Sequence, residues 1–140
     1  IKDIAVDIWH CDADGVYSGY PGQLGGLDTT GLTFLRGTRI TDTDGRARFV
    51  TIYPGWYPGR TTHIHFKVHV TGTLEATSQL YFSEDITAAV YATAPYSARG
   101  QKDTTNLGDG VTPGFVPPLL AVTPDGAGYA AALTVTVVGL

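Results

Sequence analysis

Hydrophobic and polar residues alternate along most of this chain, and the alternation predicts β-strands. Successive side chains on a strand point to opposite faces, so a period of two marks a strand with one buried face. Turn-forming pairs separate the alternating segments. These pairs are Asp14-Gly15, Asp44-Gly45, Pro58-Gly59, Thr71-Gly72 and Asp125-Gly126. The predicted strands cover residues 4–9, 32–40, 47–52, 63–70, 74–82, 119–122 and 129–138.

One segment departs from this period. Ser83 can cap a helix, two acidic residues follow it, and an Ala-rich body continues to Tyr91. We therefore expect a short helix that starts near Ser83 and ends before Pro95. The Gly- and Thr-rich stretches 18–31 and 100–118 predict long loops. Together these elements predict an all-β fold, an antiparallel β-sandwich with long loops and one short helix.

Composition indicates a single folded domain over residues 1–140, with 43% hydrophobic and 16% charged residues. The net charge of -4 argues against a nucleic-acid partner, and no apolar run reaches the roughly 20 residues of a membrane span. The chain begins at Ile1 inside what looks like a strand, and no signal peptide is visible. We expect a further N-terminal segment upstream. Cys11 is expected to be a buried apolar side chain.

His63 and His65 are two residues apart on a predicted strand, so their side chains share one face. Lys67 and His69 continue that face, while the opposite face is apolar and belongs to the core. Paired imidazoles are good metal ligands. The motif alone still leaves open an exposed polar face with incidental histidines.

Tyr57 changes this interpretation, because the turn-forming segment 54–59 can fold its side chain back over the following strand. Tyr17 follows the first predicted strand, and with Tyr57 and the two histidines it would form a set of two tyrosines and two histidines. A phenol binds metal only after losing its proton, which requires a strongly Lewis-acidic cation such as Fe(III). A cupin is the competing β fold, but Gly59 and Glu75 do not match its spacing around the two histidines.

At these residues the chain resembles the intradiol ring-cleavage dioxygenases, the catechol 1,2- and protocatechuate 3,4-type family. The matching stretches are residues 6–13, 15–19, 34–37, 54–66 and 78–82. The sequence around Trp9-His10-Cys11 is most similar to that of the family's secreted branch in actinobacteria and fungi. Some members of that branch carry carbohydrate-binding modules. The resemblance therefore implies a secreted protein.

Carried over by position, the resemblance implies that Tyr17, Tyr57, His63 and His65 hold a non-haem Fe(III). Tyr57 and His65 would be the axial pair, and Tyr17 and His63 the equatorial pair. Arg60, Tyr57 and Gln79 would be the catalytic residues. His10 falls at a structural position of the family, and His69 lies beyond the motif, so neither is assigned to iron.

The implied reaction joins a small aromatic diol with O2 and cleaves the ring between its two hydroxylated carbons, giving a cis,cis-muconate. The diol would displace Tyr57, which then accepts a proton, and Arg60 would stabilise developing negative charge. Nothing here matches the Gly-Pro-Tyr-type segment that walls the family's pocket. The preferred catechol and the oligomeric state therefore stay open.

The alternative function is a non-catalytic carbohydrate-binding module of similar sandwich shape. Trp56, Tyr57 and Tyr20 would form its stacking platform. Such a platform needs exposed rings on a flat face. A tight turn directly before two histidines fits a metal-binding loop better.

Overall fold

The computed structural model describes residues 1–70, 75–115 and 117–136. Six strands and one α-helix follow one another in these segments. In chain order they are β1 (Ala5–Trp9), β2 (Arg36–Ile40), β3 (His63–His69), β4 (Glu75–Tyr81), α1 (Glu84–Tyr91), β5 (Ala121–Asp125) and β6 (Gly128–Ala132). Short 3-10 helices lie at Leu24–Gly26 and Tyr96–Ala98.

The strands form a four-stranded antiparallel sheet in the order β2-β1-β3-β4 and a separate hairpin, β5-β6. The register of the larger sheet sets Trp9 opposite His65 and His65 opposite Gln79. The next row places His63 opposite Tyr81. One end of β3 therefore gathers polar and aromatic side chains from three strands.

The opposite face of the sheet is the hydrophobic core. On β3 the side chains of Ile64, Phe66 and Val68 are buried, as the alternation predicts. On the neighbouring strand β1, Val6 lies opposite Val68 and Ile8 lies opposite Phe66, and both pack against the same cluster. Full burial of a side chain of this kind contributes about 1.5–3 kcal/mol. The core thus fixes which face of β3 carries the histidines.

The predicted helix is confirmed. It begins at the cap residue Ser83, whose side chain accepts a hydrogen bond from the Ile86 N–H, and it runs to Tyr91. The all-β, antiparallel fold class is also confirmed. Residues 18–31 and the described part of 100–118 form loops with turns and a single short 3-10 helix. Within the described ranges, no helix is long and apolar enough to cross a bilayer.

The predicted strand at 47–52 is wrong. Side-chain exposure still alternates from Ala47 to Val50, but the segment joins no ladder among the described residues. A strand needs a hydrogen-bonded partner as well as a period of two. The predicted strand 32–40 begins only at Arg36, because Leu35 has a positive φ of 54° that interrupts the extended backbone.

The C-terminal strands also differ from the prediction. Leu119 makes a single bridge to Tyr81, and regular pairing begins at Ala121. The predicted strand 129–138 is seen as Gly128–Ala132, while residues 133–136 are unpaired in the described structure. The predicted turn at Thr71-Gly72 and the strand ends at residues 74, 137 and 138 lie outside the described residues.

Candidate metal centre

The four predicted ligands converge at the N-terminal end of β3. The Nε2 atom of His63 lies 3.3 Å from the phenol oxygen of Tyr17 and 3.2 Å from that of Tyr57. The same atom lies 3.2 Å from the Nε2 atom of His65. Four potential donor atoms therefore surround one small space.

The Tyr17 phenol is set in place through the backbone of its loop. The Gln23 side chain accepts a hydrogen bond from the Tyr17 N–H at 2.7 Å and donates one to the Tyr17 carbonyl at 2.7 Å. The Thr29 hydroxyl also donates to that carbonyl, at 2.6 Å. These hydrogen bonds satisfy both the N–H and the carbonyl of Tyr17, as pairing with a neighbouring strand would.

The Tyr57 loop is held by an aromatic cluster beside α1. The Tyr91 hydroxyl donates to the Pro54 carbonyl at 2.9 Å and accepts from the Thr62 hydroxyl at 2.6 Å. The Tyr96 hydroxyl donates to the Tyr53 carbonyl at 2.6 Å. The helical segment therefore fixes both the turn before Tyr57 and the start of β3.

Two glycines allow the two tyrosine loops to pack against each other. Gly15 has a φ of 82°, and a Cβ there would collide with the Trp56 carbonyl. A Cβ on Gly55 would lie 2.6 Å from the Ala13 carbonyl oxygen. The Gly55 N–H donates to the Asp12 carbonyl at 3.0 Å, which joins the loops directly. Any larger residue at Gly15 or Gly55 would push the loops apart.

The protonation of His63 follows from its other ring nitrogen. Nδ1 lies 2.6 Å from the Thr61 carbonyl oxygen, which can only accept, so Nδ1 carries the hydrogen. Burial lowers the pKa of His63 to about 4 and the pKa of His65 to about 3. Both rings are therefore neutral at pH 7, and the Nε2 of His63 presents a bare lone pair.

Hydrogen bonding alone does not account for this crowding. The single lone pair on His63 Nε2 can accept one hydrogen bond, yet three polar atoms lie 3.2–3.3 Å from it. Ligands about 2.0–2.1 Å from a shared metal ion are separated by roughly 2.9–3.4 Å in octahedral or tetrahedral geometry. The observed separations match the edges of such a coordination shell.

The two phenols restrict the choice of metal. Burial raises the pKa of Tyr17, and it also raises the pKa of Tyr57 against the opposing charge of Arg60, so both phenols hold their protons in the metal-free protein. A strongly Lewis-acidic cation is needed to remove these protons. In the described part of the chain, no group of three or more His, Cys, Asp or Glu side chains is arranged to hold a metal. The donor set fits a hard ferric ion better than zinc.

Arg60 and Gln79 lie next to this cluster. One guanidinium nitrogen of Arg60 donates to the Tyr57 phenol at 3.3 Å, and another donates to the Gln79 side-chain oxygen at 2.5 Å. The Tyr81 hydroxyl donates to that same oxygen at 3.0 Å. Arg60 thus contacts the predicted ligands through Tyr57.

A cavity of about 640 Å³ opens beside the cluster. Tyr17, Tyr57 and His65 line it, whereas Arg60 and Gln79 are not among its lining residues. The lining is aromatic, apolar or uncharged throughout. The remaining lining residues are Trp9, Gly15, Tyr20, Gln23, Leu24 and Pro58.

Three residues that shape this site were not predicted from the sequence: Trp9, Gln23 and Asp109. The Trp9 ring stacks on His65 with centroids 4.9 Å apart and planes 2° from parallel. Asp109 accepts hydrogen bonds from Arg60 across 49 residues of sequence. Only the pairing of β1 with β3 could have revealed Trp9, and nothing in the local sequence indicates Asp109 or Gln23.

His10 and His69 lie away from the four predicted ligands. His10 is buried, and its ring contacts the Cys11 carbonyl at 2.7 Å and the Thr51 hydroxyl at 2.8 Å. His69 lies at the other end of β3 and pairs with Asp7 and Glu75. Cys11 is buried, and burial raises the pKa of its thiol to about 12.

Comparison with known proteins identifies the family of this chain. The family model Dioxygenase_C, described as "Dioxygenase", matches residues 1–106. The chain is 31% identical over 100 residues to a chlorocatechol 1,2-dioxygenase of Cupriavidus pinatubonensis, covering 59% of this chain and 37% of that protein. It is 30% identical over 95 residues to a chlorocatechol 1,2-dioxygenase of Pseudomonas putida, covering 55% and 34%. The chain thus spans little more than a third of the length of these curated relatives.

Solved structures give a longer match. An intradiol ring-cleavage dioxygenase from Tetranychus urticae superposes with a TM-score of 0.81 at 29% identity, covering 94% of this chain and 69% of that one. The dioxygenase domain of a carbohydrate-binding fusion protein from Streptomyces sp. SirexAA-E gives a TM-score of 0.56 at 26% identity, covering 94% and 65%. Together with the family match over 1–106, these likenesses show that the chain belongs to the intradiol ring-cleavage dioxygenases.

Proposed function

We propose that Tyr17, Tyr57, His63 and His65 bind one non-haem Fe(III), and that the protein uses it with O2 to cleave a catechol between its two hydroxylated carbons. The product would be a cis,cis-muconate. The convergence of two phenols and two neutral imidazoles within 3.2–3.3 Å of one nitrogen carries this proposal. Such a mixed oxygen and nitrogen set suits a hard trivalent cation.

When bound, ferric iron would supply the Lewis acidity that ionises the phenols and withdraws electron density from the catechol. Tyr57 would serve as the general base, accepting a proton from a catechol hydroxyl at its phenol oxygen. Arg60 supports that role, because its guanidinium donates to this oxygen at 3.3 Å and favours the phenolate. Gln79 orients the guanidinium through its own contact at 2.5 Å.

The walls of the cavity favour uncharged catechols. About 640 Å³ is far more than one benzene ring needs and falls within the usual range for drug-sized ligands. Tyr20 and Leu24 could cover an apolar ring substituent, while a carboxylate would meet no cationic side chain among the described lining residues. We therefore expect alkyl- or halogen-substituted catechols to outcompete protocatechuate.

The carbohydrate-binding alternative fits the geometry poorly. The guanidinium of Arg99 lies over the Trp56 ring, 4.5 Å from its centroid. The Trp56 indole N–H donates to the Gly100 carbonyl at 3.1 Å. Arg99 therefore occupies a ring face that a sugar platform would need. The phenol of Tyr57 points into the ligand cluster instead.

Oxygen uptake with product identification tests the proposed function. Protein loaded with Fe(III) is expected to consume O2 in the presence of catechol and to release a cis,cis-muconate. The Tyr57→Phe variant should lose about 100-fold or more in kcat, as expected for loss of a general base. Absence of oxygen uptake by iron-loaded protein across a panel of catechols would reject the proposal, as would an extradiol product. Retention on insoluble glycans without iron binding would favour the alternative.

A further inference from the structure

Asp109 is almost fully buried in the long loop after the helical segment, and its carboxylate accepts hydrogen bonds from Arg60, Thr61 and Val111. Both carboxylate oxygens lie 3.0 Å from the Arg60 Nε atom. The backbone N–H groups of Thr61 and Val111 donate to it at 2.9 and 2.8 Å. Burial acts to raise the pKa of Asp109, but these donors hold it below its usual value. The buried carboxylate is therefore ionised and well partnered.

Two of these donors belong to adjacent residues that face the candidate metal centre. The far end of the Arg60 guanidinium contacts the Tyr57 phenol at 3.3 Å. The Thr61 carbonyl accepts the Nδ1–H of His63 at 2.6 Å, and that bond leaves the Nε2 atom bare. One carboxylate thus holds both the Arg60 guanidinium and the backbone N–H of Thr61, the residue whose carbonyl orients His63.

We propose that Asp109 is the positioning residue of this site, fixing the plane of the Arg60 guanidinium and, through Thr61, the tautomer of His63. The inference rests on the proposed function for its catalytic consequence. The positions of Arg60 and Thr61 relative to Asp109 follow from the hydrogen bonds alone. The family match ends at residue 106, so the assignment comes from the structure of this chain.

The role requires a carboxylate rather than any polar side chain. In Asp109→Asn the new NH2 group must face Arg60 or a backbone N–H, all of which are donors. A donor facing a donor leaves a buried group without a partner. Changes behind metal ligands typically cost about 10–100-fold in metal affinity or activity. We expect a loss of kcat in that range, and Asp109→Glu should recover part of it.

The first test uses metal-free protein and nuclear magnetic resonance. The Nε–H proton of Arg60 should exchange with water much more slowly than those of the exposed Arg39 and Arg46, and His63 should be the Nδ1–H tautomer. Asp109→Asn should speed that exchange at Arg60 and mix the tautomers of His63. Exchange at Arg60 as fast as at Arg39 in the wild-type protein would overturn the proposal without any variant.

The second test is a double-mutant cycle on the iron-loaded protein. Because Asp109 acts in part through Arg60, the losses in the double variant Asp109→Asn/Arg60→Ala should be smaller than the sum of the two single losses. Fully additive losses would contradict the proposal. Asp103→Asn is the matched control, because Asp103 is an exposed carboxylate of the same loop that, among the described residues, accepts from the Gly59 N–H and the Thr104 hydroxyl. This control should keep wild-type kcat.

The two tests separate this inference from the proposed function. An iron-loaded wild-type protein without dioxygenase activity would reject the function, while the exchange of the Arg60 Nε–H would still decide whether Asp109 positions it. An active enzyme with unchanged kcat in Asp109→Asn would reject the positioning role and leave the function intact.

Discussion

The two ends of β3 use the same residue type in opposite ways. At the N-terminal end His63 is buried, and burial lowers the pKa of its ring to about 4. At the other end of the same face, the His69 ring lies between Asp7 at 2.7 Å and Glu75 at 3.0 Å. The hydrogen bond to Asp7 raises the pKa of His69.

This difference shows that the surroundings of the strand, and not its sequence period, decide which of its histidines stay neutral and available to a metal. His63 and His65 are covered by two loops and contact no carboxylate side chain among the described residues, so they remain neutral donors. Both nitrogens of His69 face carboxylates, which favours the charged imidazolium. A metal ligand must be the neutral form, so only one end of β3 suits a cation.

Replacing one histidine at each end of β3 should give the largest difference in iron binding between the two ends. His63→Gln is expected to lower the affinity for Fe(III) by more than about 100-fold, because even changes behind a ligand cost about 10–100-fold. His69→Gln, the matched control on the same strand face, should bind iron as the wild-type protein does. Iron titration followed by visible absorbance measures both. Equal losses in the two variants would contradict the assignment.

Separating the two tyrosine loops should have the next largest effect. In Gly55→Ala the added Cβ lies 2.6 Å from the Ala13 carbonyl oxygen, so the loops must move apart. Overpacking of this kind costs about 1–3 kcal/mol of stability. We expect a lower melting temperature and weaker iron binding.

Gly37→Ala is the control for this prediction. A Cβ at Gly37 meets no atom within 4 Å, and its φ is not positive. This variant should bind iron with wild-type affinity. If Gly55→Ala also does so, close packing of the loops is not needed to build the cluster.

Removing the ring that backs His65 should have a smaller effect. Trp9 stacks on His65 at 4.9 Å, and aromatic pairs contribute about 0.5–1.5 kcal/mol beyond the area they bury. Trp9→Leu should therefore weaken iron binding by roughly 3- to 10-fold, since 1.4 kcal/mol is tenfold. Competition with a chelator of known affinity measures the change. Unchanged affinity would mean that the stack does not orient His65.

The smallest expected effect concerns pH at the exposed end of β3. The pKa of His69 is raised above its model-peptide value of 6.5, so the folded state favours the charged ring. Its contribution to stability is therefore complete below that pH and is lost as pH rises through the raised pKa. The melting temperature of His69→Gln should fall slightly below wild type at pH 5.5 and match it at pH 9. A difference that grows with pH would contradict this account.

Much of the centre could be predicted from residue spacing and turn chemistry, together with family resemblance. The period of two placed His63 and His65 on one face of β3, and the cap at Ser83 located the helix. Trp9 was not predicted, because its place depends on the register between β1 and β3. Asp109 was not predicted, because it contacts Thr61 from 48 residues away in a loop.

The error at 47–52 has the same origin. The period of two correctly reports that alternate side chains from Ala47 to Val50 are partly buried. It does not report whether another backbone segment lies within hydrogen-bonding distance. Pairing is a property of the folded chain as a whole, and a local pattern cannot supply it.

The account depends on Tyr17 and Tyr57 both binding one ferric ion, and visible spectroscopy during an iron titration tests this most directly. One equivalent of Fe(III) should give a red-brown protein with a phenolate-to-iron charge-transfer band. Tyr17→Phe and Tyr57→Phe should each weaken that band, while His69→Gln should leave it unchanged. Stoichiometric iron binding without the band, or a band that survives both tyrosine substitutions together, would contradict the assignment of both tyrosines to iron.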